Sequence, residues 1–150
     1  MPNWCYNRIT IYGDEETEAK LKEIEEIFES KQPFNEIYPI PDFKNIPNEK
    51  GELPVLRREL NKDGSVFYET YDFPDGKNDD RWYHWCIENW GTKWELSELD
   101  IEYDEEMLEL TFSTAWSPPE GIMQVLKDKY PDLGFTCFYD EPGMEIAGYY

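Results

Sequence analysis

From Trp4 to Tyr12 the segment WCYNRITIY sets Cys5, Ile9 and Ile11 on one side of a period-two pattern and closes at Gly13. That alternation predicts a strand. Asp14 stands where a cap belongs, Glu15 and Glu16 suit the positive end of a helix dipole, and Leu21, Ile24, Ile27 and Phe28 recur at three- and four-residue steps. A helix running to about Ser30 follows, buried along that stripe. From Asp80 the helical period returns in Trp82, Trp85, Cys86, Asn89 and Trp90, with Gly91 at the stop position. Leu99, Ile101 and Tyr103 then alternate with Asp100, Glu102 and Asp104, and Leu108, Leu110 and Phe112 alternate with Glu109, Thr111 and Ser113. This predicts a β-hairpin with one apolar and one polar face. Pro118 and Pro119 prepare a helix that turns Ile122, Val125, Leu126 and Tyr130 inward until Pro131. Gly134 to Tyr139 reads as the last core strand, which Met144 to Tyr149 extends or pairs with.

Between Lys31 and Asp80 the pattern is broken by prolines and glycines. A short helix over Leu53 to Leu60 and an extended piece over Val66 to Tyr71 are the elements expected there. The stretch is too long for an ordinary connection, so it reads as an irregular insertion at about 32–79, packed by its own aromatics Phe43, Phe67, Tyr68 and Tyr71. The order strand, helix, insertion, helix, strand, strand, helix, strand contains the split βαβ plan. The expected class is α+β: a single ferredoxin-like domain over 1–150, with an antiparallel sheet, helices on one face and an elaborated first crossover.

Composition changes this picture only in its surface. The 150 residues include 14 Lys and Arg against 34 Asp and Glu, a formal charge of −20, yet 17% are aromatic. There is no shortage of core formers, so global disorder is excluded. A body this acidic has no general basic surface for phosphates or anionic lipid, which argues against direct nucleic-acid or membrane binding. Cys5, Cys86 and Cys137 are odd in number and set among apolar neighbours, as free thiols of a reducing, cytoplasmic compartment are. No run approaches the roughly 18 apolar residues of a membrane helix.

Signatures of chemistry are sparse. There is no glycine-rich phosphate loop, no cysteine pair at two-residue spacing and a single histidine, so no metal or cofactor is expected. His84 is expected to be a partly buried, hydrogen-bonded ring. Carboxylates are too abundant for any one pair to signal acid–base work, and the acidic run from Glu95 to Glu109 reads as a solvated hairpin edge. Two segments stand out, Trp90–Trp94 and Ser113–Pro119, each placing tryptophans among small and turn-forming residues. With the tail Asp140–Glu145 they supply a candidate binding rim of Trp90, Lys93, Trp94, Trp116, Glu141 and Glu145. The alternative is that the tryptophans close the core where the chain turns. Most of the area of Trp90, Trp94 and Trp116 should then be buried, with at most one indole edge exposed.

The opening MPNWCYNR (Met1–Arg8), NWGTKW (Asn89–Trp94), FSTAWSPP (Phe112–Pro119) and EPGME (Glu141–Glu145) resemble, in order, motifs of the YubB-type ferredoxin-like family. That functionally uncharacterised family occurs on phages, conjugative plasmids and bacterial genomes. The resemblance implies a ferredoxin-like fold and a phage or plasmid setting, and supplies no catalytic residues.

Three functions remain open. The first is an acidic protein-binding module without catalysis, whose partner is another protein, fittingly a nucleic-acid-binding one for which the acidic surface is a decoy. The second is a small ligand-binding domain or enzyme with a pocket at the tryptophan-rich junctions. The third is an RNA or single-strand binder using the open sheet face, where Trp4, Tyr6 and Arg8 would stack and pair, against Asp100, Glu102 and Glu109 on the same face.

Overall fold

The structure, a computed structural model, describes residues 2–47, 50–72 and 81–150. They form two compact units, one of Met1–Pro39 with His84–Tyr150 and one of Ile40–Tyr83.

The first unit holds β1 (Trp4–Tyr12), α1 (Glu18–Glu29) and α2 (Pro33–Ile37), and most of α3, whose full span is Arg81–Asn89. It continues through β4 (Ser97–Asp104), β5 (Met107–Ala115), α4 (Glu120–Lys129), β6 (Gly134–Glu141) and β7 (Ile146–Tyr149). The remaining two strands, β2 (Val55–Leu60) and β3 (Val66–Asp72), lie in the second unit.

The sheet order β4-β5-β1-β6-β7 is antiparallel throughout. Strand β5 separates β1 from the parallel β4, and β1 separates β5 from the parallel β6, so two split βαβ units interlock. This is the ferredoxin-like arrangement, with β7 added to one edge. Ile9 and Ile11 on β1, Leu108, Leu110 and Phe112 on β5, and Cys137 on β6 turn to the helices. There they meet a layer built from Leu21, Ile24 and Phe28 on α1, Cys86 on α3, and Ile122, Met123 and Leu126 on α4. Tyr130 is buried as expected, at the residue that ends α4.

Several expectations are corrected. Helix α1 starts at Glu18, because Asp14 and Thr17 close a turn on each other first: the Asp14 N–H donates to Thr17 Oγ1 at 2.7 Å, and the Thr17 N–H donates to Asp14 Oδ1 at 3.1 Å. The unforeseen α2 carries the fully buried Phe34 into the core. Its first turn is held by Glu95, whose Oε1 accepts the Phe34 N–H at 2.7 Å and whose Oε2 accepts the Asn35 N–H at 3.2 Å. Glu95 is thus a helix anchor inside a run read as solvated edge, and burial pushes its carboxyl above the ordinary range. His84 is exposed, not partly buried. The expected start of this helix at Asp80 lies outside the described residues.

In the second unit, Val55–Leu60 is a strand, not a helix. The turn Asn61–Ser65, with Gly64 at φ 88°, folds it back on β3. Arg58 Nε then reaches Glu69 at 2.7 Å and Arg57 Nε reaches Asp72 at 3.1 Å. Asp63-Gly64 is the hairpin signal in this segment. Phe67 (72% exposed) and Tyr68 (45%) do not pack the insertion as expected, since a two-stranded ribbon has no second layer to bury them.

Candidate functional site

The four motif segments meet at one end of the five-stranded sheet, and most of what they do there is structural. Gly91 has φ 91°, and a Cβ on it would stand 2.9 Å from both Glu120 N and Pro118 O. The Gly121 N–H donates to Trp90 O at 3.0 Å, Thr92 Oγ1 donates to Ala115 O at 2.9 Å, and Ser117 Oγ donates to Gly91 O. The loop after α3 is thereby fastened to the start of α4. Trp90 is 1% exposed, packs edge-on against Phe34 at 5.7 Å, and donates its indole N–H to Tyr38 O at 2.8 Å.

Beneath this end runs a buried polar chain. The Asn7 amide donates to Thr114 Oγ1 at 2.9 Å and to Cys5 O at 3.2 Å, and its Oδ1 accepts the Tyr150 hydroxyl at 2.9 Å. Thr114 Oγ1 in turn donates to Ser117 O at 2.7 Å. Burial raises the Tyr150 hydroxyl's pKa and pushes the Cys5 thiol up to about 11, as it does the Cys86 thiol, so both thiols stay protonated and unreactive. Glu141 is fully buried, one oxygen accepting the Met144 N–H and the other, Oε1, without a hydrogen-bond partner.

The sheet face away from the helices carries a groove of about 360 Å³ lined by Tyr6, Arg8, Glu98, Thr111, Phe138 and Asp140, with Asn7, Phe112 and Ser113 completing it. That volume lies in the range of small-ligand sites. Register explains the cluster. Tyr6 pairs with Ser113 on β5 and Asp140 on β6, and Arg8 pairs with Thr111 and Phe138, so these side chains share one face. Glu98 joins them from a bulge in β4, where its φ of 55° is left-handed. Trp116 (φ 70°) and Glu145 (φ 55°) are the other left-handed non-glycine residues among those described, and they stand at the same end. Strain of this kind persists where surrounding structure enforces it, commonly beside sites.

The six expected rim residues are placed otherwise. Trp90 and Glu141 are buried, Lys93 is half-buried with its Nζ 4.1 Å from the centre of the Trp94 ring, and Glu145 is exposed. None of the six lines the groove. Most of the area of Trp94 and Trp116 is buried as expected, but at 40% and 44% exposed both indoles reach the surface, where one at most was expected. Left-handed backbone at Trp116 turns its ring off the inward alternation of β5. Tyr6 and Arg8 on the open face were legible from the alternation of β1, whereas Phe138, Asp140 and Glu98 were not singled out. For Phe138 and Asp140 the available signal was their period-two offset from the apolar Cys137. For Glu98 the bulge hides any signal. Among the described residues no group of three or more His, Cys, Asp or Glu side chains is placed to hold a metal, and no helix is long and apolar enough to cross a membrane.

No curated protein matches the chain. The crystal structure of protein api92 from Yersinia pseudotuberculosis is similar in fold, with a TM-score of 0.54 and 13% sequence identity over 99% of this chain and 93% of that one. At that identity the likeness is one of fold alone; residues 89–150, which carry α3's last residue through β7, match the family model described as the ferredoxin-like domain in Api92-like protein.

Proposed function

We propose that the protein is a non-catalytic binding module that takes a basic segment of a partner protein on its open sheet face. The observation that carries the reading is the groove, where aromatic walls, Tyr6 and Phe138, alternate with the carboxylates of Glu98 and Asp140. Asp100 and Glu102 on β4 and Glu109 on β5 extend the same face, in register with Thr111 and Thr10. Lysine and arginine side chains gain from both elements, by cation–π contact and by ion pairing. Protonated, buried thiols and a histidine outside the groove support a role without covalent chemistry.

The same residues weigh against the competing functions. Strand-face stacking of nucleic acid needs cations along the backbone path, and this face supplies carboxylates. A duplex decoy needs its charge on one side, whereas Glu23, Glu26 and Glu29 of α1 are exposed on the opposite layer. A pocket at the tryptophan junctions would need Trp90 open, and it is buried.

Calorimetric titration with a tyrosine-containing lysine pentapeptide at low ionic strength tests the reading. Binding is expected, weakening with added salt, absent for the glutamate counterpart, and at least about tenfold weaker for the Tyr6→Ala, Phe138→Ala double variant. An undiminished affinity in that variant, or tighter binding of an octauridylate than of the lysine peptide, overturns it.

A further inference from the structure

Arg8 is the only basic residue in the five strands of the sheet, which otherwise present Glu, Asp or neutral side chains. It is exposed in the groove and, among the described residues, makes no hydrogen bond or ion pair. Opposite charge is close at hand: Asp140 on β6 and Glu109 on β5 occupy positions diagonal to it across the two neighbouring strands. A guanidinium offers five N–H donors in a planar fork that matches a carboxylate, and here that fork is left open to the groove.

An internal basic segment would set its cations against Arg8 and be repelled by it. A polypeptide ending in the groove meets no such conflict, because its terminal carboxylate fits the fork while its basic side chains reach Glu98 and Asp140. Resting on the reading of the groove above, we infer that the occupant is the free carboxy terminus of a protein, with lysine or arginine and an aromatic residue among its last positions. The single cation then selects for a terminus, and the surrounding carboxylates select for its basic composition. A phosphodiester chain fits poorly, since it brings one anion per nucleotide to one guanidinium ringed by carboxylates.

The probe is N-acetyl-Gly-Ser-Lys-Tyr-Lys, made as the free acid and as the C-terminal amide, with free lysine and octauridylate as further arms. The acid is expected to bind the wild-type chain at least about tenfold more tightly than the amide. Arg8→Gln should make the two forms equal, and Arg8→Lys should keep part of the difference; unfolding midpoints close to wild type establish that both variants are folded. Equal binding of acid and amide to the wild-type chain, with both lost in the Tyr6→Ala, Phe138→Ala variant, overturns the terminus and leaves the basic segment standing. Failure of both forms to bind at millimolar concentration overturns the two readings together. Free lysine binding as tightly as the pentapeptide acid would make the ligand a small amino acid and overturn the polypeptide. Octauridylate binding more tightly than either peptide would make the face a nucleic-acid surface.

Discussion

Gly121→Ala should destabilise the protein by about 3 kcal/mol or more, although alanine is the better helix former by roughly 0.8–1.0 kcal/mol. A Cβ at this position would lie 1.6 Å from the Asn89 carbonyl oxygen and 2.7 Å from its carbon. Both obstacles are backbone, so no rotamer change relieves them, and α4 would have to leave α3. That separation also breaks the Gly121 N–H bond to Trp90 O, which joins the two helices. Urea titration followed by circular dichroism measures the loss. A change below about 1 kcal/mol would mean that the two helix ends are not in this contact.

Phe112→Ala is expected to cost about 3–5 kcal/mol, the usual range for emptying a buried aromatic site. The ring is 3% exposed and lies 6.2 Å from the Phe28 ring and 5.9 Å from the Phe34 ring, linking β5 to α1 and α2. Neither helix can follow the missing ring without breaking its own contacts, so most of the cavity should persist. Tyr6→Ala is the internal control. Its ring is 51% exposed on the other face of the sheet, and its loss should shift stability by no more than about 0.5 kcal/mol. Equal effects of the two substitutions would contradict the division of the sheet into a packed and an open face.

The elements with one unbroken period were legible in the sequence. Strands β1, β4 and β5 and helices α1 and α4 each carry a stripe that points to the same core, and β4 and β5 pair as the expected hairpin. Information failed where a side chain's direction depends on pairing or on unusual backbone. Leu56, Arg58 and Leu60 fall at spacings that a helix also tolerates, and only the cross-strand partners of β3 decide for a strand. Tryptophans at a chain reversal look alike whether they turn in or out. Trp90 turns in because its indole N–H finds Tyr38 O, whereas Trp116 turns out on a left-handed residue.

The groove was half legible for the same reason. The alternation of β1 places Tyr6 and Arg8 on the open face, but that Phe138 and Asp140 stand beside them depends on β6 pairing with β1, which no local pattern encodes. The motif residues at this end of the sheet have a structural role. Gly91, Thr92, Ser117 and Gly121 fasten the loop after α3 to β5 and the start of α4, and none of them lines the groove.

The most direct test of the central claim is a map of backbone amide shifts in the nitrogen–proton correlation spectrum of the labelled protein, as the lysine-containing pentapeptide acid is added. Shifts should concentrate at Tyr6, Arg8, Glu98, Thr111, Phe138 and Asp140, the residues that line the open-face groove. Shifts confined instead to Lys93, Trp94, Trp116 and Glu145, with the groove residues unmoved, would place binding at the tryptophan junctions and contradict the account.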